Sequence, residues 1–216
     1  MALTIKHLSR SCFQLRTPDR CVYFDPGPLG RGLGLPKADL ILVTHHHWDH
    51  VLRGTVARLT GADTLAVGTE KSRRKLGPRR IIINPGESVD VKGIAINAVH
   101  AYNSSGSRRI TYHRKGAGVG YVISMGGKTI YHAGDTGLIE EMSSLGGIDI
   151  AFLPIGGKFT MDIGEAAEAV ERIRPRIVVP MHMLKADPLE FKELVEKRAP
   201  TTAVRVLRPG EEMALE

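Results

Sequence analysis

The sequence predicts an α/β protein in which two sheets pack face to face with helices on the outside. Three observations predict it. Strand-like segments outnumber helical ones. The first half reads mainly as hairpins, while strand–helix alternation appears in the middle and near the C-terminus. The chain of 216 residues can bury a substantial core, and it has no internal repeat, linker or low-complexity tract. Residues 1–216 therefore read as one domain.

The elements follow in order. "LTIKHL" and "CFQLRT" form a broken early strand pair, and "CVYFDPG" is a strand stopped by Pro and Gly. A Gly/Pro-rich loop leads to "ADLILVT", an apolar run bounded by polar residues and hence a buried strand. "HVLRGTVARLTG" places Val51, Leu52, Val56 and Leu59 at helical spacing, with Gly61 as a stop. Then come strand "TLAVGT", short helix "EKSRRKLG", strand "RIIIN", turn "PGE", and strands "SVDV" and "IAINAVH". "VGYVISMGG" and "KTIYHAGD" make a hairpin joined at Gly126–Gly127. "GLIEEMSSLGG" is a short helix and "IDIAFLPIGG" a strand. The next helix, "DIGEAAEAVERIRP", has Asp162 and Glu165 at capping-box spacing and ends before Pro175. Strand "RIVVPMH", helix "PLEFKELVEKRA" and a terminal strand and turn in "VRVLRPGEEMAL" complete the chain.

Composition narrows the function classes. Apolar residues at 42% and charged residues at 25% describe an ordinary globular chain. No apolar run approaches the roughly 20 residues that span a bilayer, and "MALTIKHLSR" lacks the apolar core of a signal peptide. The expectation is a cytoplasmic protein with no membrane partner. Arg outnumbers Lys 19 to 11 while Asn and Gln total four, which suggests a heat-adapted source. The net charge of +7 admits an anionic partner or nucleic acid. Cys12 and Cys21 flank a Thr17-Pro18-Asp19 turn, so a disulfide across a hairpin stands beside the commoner reading of two buried free thiols.

The chemistry concentrates in "VTHHHWDHV". On a helix His45 and His47 would point about 200° apart and could not share a metal. At a strand end, positions i and i+2 point the same way, so His45 and His47 converge while His46 points elsewhere. Asp49 and His50 follow in the loop entering the next helix. Each pair can hold one metal. Imidazoles with a carboxylate suit Zn²⁺ best, with Mn²⁺, Fe²⁺ and Ni²⁺ as alternatives. Two metals need further ligands. His100, Asp135 and His182 each lie at or just past a strand's C-terminal end, where ligands collect on one rim of a sheet. Seven ligands then fit two metals sharing one bridging carboxylate.

The HxHxDH motif, a strand-end His, the "GDT" Asp and a final His resemble the metallo-β-lactamase-fold hydrolases along the whole chain. "VYFDPG", "IYHAGDTGL", "LPIGGKFTM" and "VVPMHM" are similar to a branch of small hydrolases related to the ascorbate-6-phosphate lactonase-like proteins. The resemblance implies a four-layer αββα sandwich with the metals at one edge between the sheets. It implies that His45, His47 and His100 hold one metal, that Asp49, His50 and His182 hold the other, and that Asp135 bridges. A metal-activated hydroxide would attack an ester, lactone, amide or phosphoester. Asp49 would also serve catalysis by orienting that nucleophile or taking its proton. Two positions depart from the branch: Arg10 stands where a His is usual and Lys158 where Asn is common. A Lys at the rim favours an anionic substrate.

The remaining residues divide as follows. His132, three before Asp135, is either a support for the ligands or a buried structural His. His7 and His113 have no expected catalytic role, and Trp48 is expected to pack under the metal loop. The basic runs 71–80 and 108–115 read as solvated faces, with Arg108 or Arg109 the candidates for binding a substrate anion. A nuclease or phosphodiesterase of the same fold is the alternative function. It is less favoured because no arm or extra domain for gripping nucleic acid is evident. A flavodiiron-type oxidoreductase is disfavoured, since its motif carries Glu where this chain has His47. A non-enzymatic module is disfavoured because ligating side chains at a rim have no packing value.

Overall fold

The computed structural model describes residues 2–103 and 112–215. Strands are numbered along the chain. The first sheet runs in the order β14 (Glu212–Leu215), β1 (Leu3–Ser9), β2 (Cys12–Arg16), β3 (Cys21–Phe24), β4 (Ala38–Val43), β5 (Thr60–Gly68), β6 (Arg80–Ile82). The second runs β13 (Ala203–Val204), β12 (Ile177–Met181), β11 (Ile150–Pro154), β10 (Lys128–His132), β9 (Gly118–Met125), β8 (Ile94–Ala101), β7 (Ser88–Val91). Each sheet is antiparallel where hairpins build it and parallel across its crossovers, from β3 to β6 and from β10 to β13. The architecture is the expected αββα sandwich.

Alternation along β4 shows the layering. Leu40 and Leu42 enter the core between the sheets, while Ile41 and Val43 join an outer cluster with Val56 and Leu59 of helix α1 (Arg53–Leu59). Helix α2 (Ile163–Ile173) closes the opposite side, burying Ala166, Ala167, Ala169, Val170 and Ile173. Its N-terminus carries the expected capping box: Asp162 accepts from the Glu165 amide and Glu165 accepts from the Asp162 amide. Helix α3 (Pro188–Arg198) packs beside it through Phe191 and Val195. The sheets meet through aromatic rings. Phe13 of β2 stacks on Phe152 of β11 at 4.2 Å, and Phe24 of β3 stacks on His132 of β10 at 4.7 Å.

Several elements differ from expectation. Glu70–Lys75 and Glu140–Ser144 are single 3₁₀ turns. Helix α1 starts at Arg53 because Leu52 before it is extended (φ −114°, ψ 126°) and gives its amide to the Pro26 carbonyl. The C-terminal segment divides between the sheets: β13 adds to β12, and after Pro209 β14 pairs with β1, where the His7 backbone bonds to Gly210 and Glu211. The β9–β10 turn falls at Gly126–Gly127 as expected, both at positive φ (60° and 71°).

Cys12 and Cys21 are free and buried. Cys21 pairs with Arg16, four residues along β2 from Cys12, and about 13 Å at roughly 3.3 Å per residue is too far for a bridge. Burial raises both thiols above the usual cysteine range.

Phe152 sits between Phe13, Phe24 and His132. Phe152→Ala is expected to cost about 3–5 kcal/mol in urea denaturation, because the facing sheets cannot close over the void. A cost below about 1 kcal/mol would place the inter-sheet contact elsewhere.

Candidate metal centre

The site is built where β3 and β4 end side by side. Asp25, the residue after β3, is fully buried and at φ 45°. Its carboxylate accepts from the Thr44 amide (2.7 Å), the Thr44 hydroxyl (2.7 Å) and His50 Nδ1 (2.7 Å). The Thr44 hydroxyl in turn lies 3.0 Å from His45 Nδ1 and accepts from it. Both rings are thereby held with Nε2 facing inward. Gly27 makes this possible: a Cβ there would fall 2.1 Å from the Asp49 carbonyl oxygen. Lys75 donates to the carbonyls of His46 (2.6 Å) and Val51 (3.3 Å), stapling the histidine loop from the other side.

Three overlapping groups of donor atoms result: His45, His47 and His113; His45, His50 and Asp135; Asp49, His50 and His182. In the first, His47 Nδ1 lies 3.1 Å from His45 Nε2 and 3.2 Å from His113 Nε2. In the last, His182 Nε2 is 3.5 Å from Asp49. Asp135 stands between them, 3.1 Å from His50, 3.4 Å from His182, 3.5 Å from His113 and 4.0 Å from His45. His50 Nε2, His182 Nε2 and Asp135 Oδ1 are buried and make no well-directed hydrogen bond, facing only one another and Asp49 as close pairs. Such atoms are costly unless a cation answers them, so the donors fit divalent metal.

Protonation favours the same reading. Burial pushes His45 well below the usual histidine range, with His50 adding to it, and pushes His47 down as well. Burial lowers His113 to about 4 against the pull of Asp135. Burial alone would strip His50 of its proton, but Asp135 and Asp25 outweigh it and hold its pKa well above the usual range. Burial would likewise raise Asp135, yet His50 and His182 hold it well below the usual carboxylate range. Burial would raise Asp49, but His182, 3.5 Å away, and the His50 charge outweigh it and lower the carboxyl. Asp49 and Asp135 are held ionised and His45, His47 and His113 neutral, as metal requires, while His50 would give up its proton on metal binding.

Six of the seven residues expected as ligands converge: His45, His47, Asp49, His50, Asp135 and His182. His100 does not. It lies within β8 opposite Val119, half-buried, and enters none of the donor groups. His113 takes that place. Its Nδ1 lies 3.1 Å from Asn103 Oδ1 and 3.2 Å from the Phe159 carbonyl, which leaves Nε2 facing His47 and Asp135. His46 stays outside the groups, as expected. His132 is a buried structural residue: Nε2 donates to the Ser11 carbonyl (2.9 Å) and Nδ1 accepts the Gly134 amide (3.2 Å), bracing the turn before Asp135. Trp48 does not pack under the loop. It is 58% exposed with the Arg10 guanidinium 5.7 Å from its ring, and Arg10 also pairs with Asp49 at 3.4 Å. Arg108 and Arg109 lie outside the described residues. Sequence reasoning missed Asp25, His113, Asn103 and Lys75. The acid of "FDPG" after an apolar strand and the His before "RKGAG" were the available signals.

The chain matches the β-lactamase superfamily domain over residues 4–182. It is 38% identical to a metal-dependent hydrolase of Pyrococcus abyssi over 98% of this chain and 99% of that protein. The structure of a metallo hydrolase from the hyperthermophilic archaeon Ignicoccus hospitalis superposes with a TM-score of 0.83 at 33% identity, covering 100% of this chain and 99% of the other. A metallo-β-lactamase fold protein of Bacillus subtilis shares the fold alone, with a TM-score of 0.78 at 12% identity over 99% of each chain. No described helix is long and apolar enough to cross a membrane. With the donor set and the fold both in place, the chain belongs to the β-lactamase superfamily, among its metal-dependent hydrolases.

Proposed function

We propose that the chain hydrolyses a small ester, lactone, amide or phosphoester with two divalent ions, Zn²⁺ foremost. His45, His47 and His113 would hold one, Asp49, His50 and His182 the other, with Asp135 shared. The observation that carries this reading is the set of overlapping donor groups around one buried carboxylate. When bound, the metals lower the pKa of a coordinated water toward about 7 and polarise a carbonyl or phosphoryl oxygen. The protein's own part is orientation. Asp25 and Thr44 fix the His50 and His45 rings, and Asn103 with the Phe159 carbonyl fixes His113. The Asp49 carboxylate, held ionised by His182 and His50, would hold or accept a water proton, and Arg10 pairs with its Oδ2 at 3.4 Å.

Elemental analysis of the purified chain should find about two divalent ions, followed by turnover on a panel of esters, lactones and phosphodiesters. His113→Ala should lower metal content and cut turnover by more than about 100-fold, beyond the range of residues that only orient ligands, while His100→Ala leaves metal content unchanged. No bound metal, and no activity with added Zn²⁺, Mn²⁺ or Ni²⁺, would overturn the proposal. Asp25→Asn should weaken metal binding by about 10–100-fold in chelator competition, since it loses the anion facing His50. Calorimetry at pH 7 in buffers of different ionisation enthalpy should show metal uptake releasing about one proton. The sign follows from His50. Its raised pKa leaves it charged in the metal-free protein, with a stabilisation that fades as pH climbs through that value, whereas the lowered His45, His47 and His113 have no proton to give.

A further inference from the structure

Two cavities reach residues of the metal centre, and they differ in size and lining. One of about 230 Å³ lies over His45, His47 and His113. The other, about 620 Å³, opens beside His182 and is large enough for a whole small molecule. Its walls are Phe159, Met183 and Leu184 together with Arg10, Lys158 and Lys185. Among the described residues no carboxylate lines it. Arg10 is engaged with Asp49 and Trp48. Lys158 has only the Phe159 ring, 5.0 Å from its ammonium, and neither Lys158 nor Lys185 has an acidic partner among the described residues. Leu184, a large apolar side chain, stays 43% exposed on this wall at a φ of 52°. Apolar walls with two uncompensated ammonium groups match one kind of ligand.

We propose that this cavity is the recognition subsite of the hydrolase read above, on which the proposal rests. It takes a small molecule with an apolar body and a terminal carboxylate or phosphate, its reacting bond at the His182 end. The body lies against Phe159, Met183 and Leu184. The anion is received by Lys158 and Lys185 as charge-assisted hydrogen bonds. The smaller cavity, over His45, His47 and His113, receives the lesser fragment of the cleaved molecule.

The probes are 4-phenylbutyrate, phenethyl phosphate and the neutral 4-phenylbutan-1-ol, titrated by calorimetry into the metal-loaded full chain. Both anions should bind at least tenfold tighter than the alcohol. Lys158→Ala/Lys185→Ala should erase that preference and leave alcohol binding within about twofold, because the apolar walls remain. Leu184→Asp should weaken all three probes. Lys192→Ala/Lys197→Ala, on α3, makes the same charge change away from the cavity and should alter nothing. Circular dichroism checks that each variant is folded. An anion preference that survives the Lys158/Lys185 change and vanishes with chelator would mean the anions sit on the metals, and the subsite would be refuted. Metal content and hydrolysis of 4-nitrophenyl acetate are read on the same samples. Hydrolysis without an anion preference overturns the subsite alone. A lysine-dependent preference in a chain without metal or hydrolysis overturns the hydrolase reading and leaves the anion site standing.

Discussion

The site depends on one buried carboxylate that stands outside every donor group. Asp25 has no exposed surface, and a carboxylate in that position is tolerable only if its oxygens are saturated. Two bonds from Thr44 and one from His50 saturate them. Because β3 and β4 run parallel, the residues after their ends fall side by side, and the Asp25 amide bonds to the Leu42 carbonyl. From that fixed point the chain has little freedom. Thr44 turns His45, His50 is held directly, and Pro26 and Gly27 press against the loop that carries Asp49. Both halves of the metal centre are oriented by the same acid, which is the linkage expected of groups behind metal-bound imidazoles.

Charge explains why the arrangement holds together before metal arrives. Five imidazoles around two carboxylates would repel if all were protonated. Burial keeps three of them neutral, and the proton goes to His50, flanked by Asp25 and Asp135. The cluster thus carries an internal cation among the side chains that would hold a metal. The aromatic contacts below it, Phe13 on Phe152 and Phe24 on His132, lock the two sheets whose rims supply the opposing ligands. His132 also accepts the Gly134 amide, so packing between the layers passes directly into the turn that presents Asp135.

The sequence revealed most of the site because most of it obeys local rules. His45 and His47 follow the i, i+2 direction of an extended chain, and Asp135 and His182 follow strands to the rim. The same rule misled at His100. That residue lies inside β8, paired with Val119, and the strand runs on to Ala101, which pairs with Gly118. The donor comes instead from the returning loop, at His113, where no periodicity operates. What fixes it is Asn103, ten residues back, and the Phe159 carbonyl, 46 residues on. Contacts at that separation leave no trace in a window of the sequence. Asp25 was hidden for a related reason: a strand-end acid looks the same whether it binds metal, holds a ligand or caps a turn. Trp48 was misjudged from composition, since a lone aromatic is usually buried. Here its ring is partly shielded by a guanidinium and needs no core.

Phe159 joins the two sides of the centre. Its carbonyl receives the His113 ring and the Asn103 amide (2.9 Å), its ring packs edge-on against Tyr112 at 4.6 Å, and the Lys158 ammonium lies over that ring. Tyr112 lines the smaller cavity and Phe159 the larger. A substitution at Phe159 would therefore disturb a ligand's orientation and the wall of the larger cavity together. Lys158 and Lys185 carry no such backbone duty, because their side chains make none of the contacts that hold the histidines. The fold thus separates what must stay constant from what can change. The donors are fixed by Asp25, Thr44, Asn103 and main-chain oxygens, whereas the charge of the larger cavity rests on exposed side chains that can vary without unseating a single ligand. Divergence in substrate among proteins that share this metal centre has a structural route through the cavity walls, and it leaves the chemistry intact.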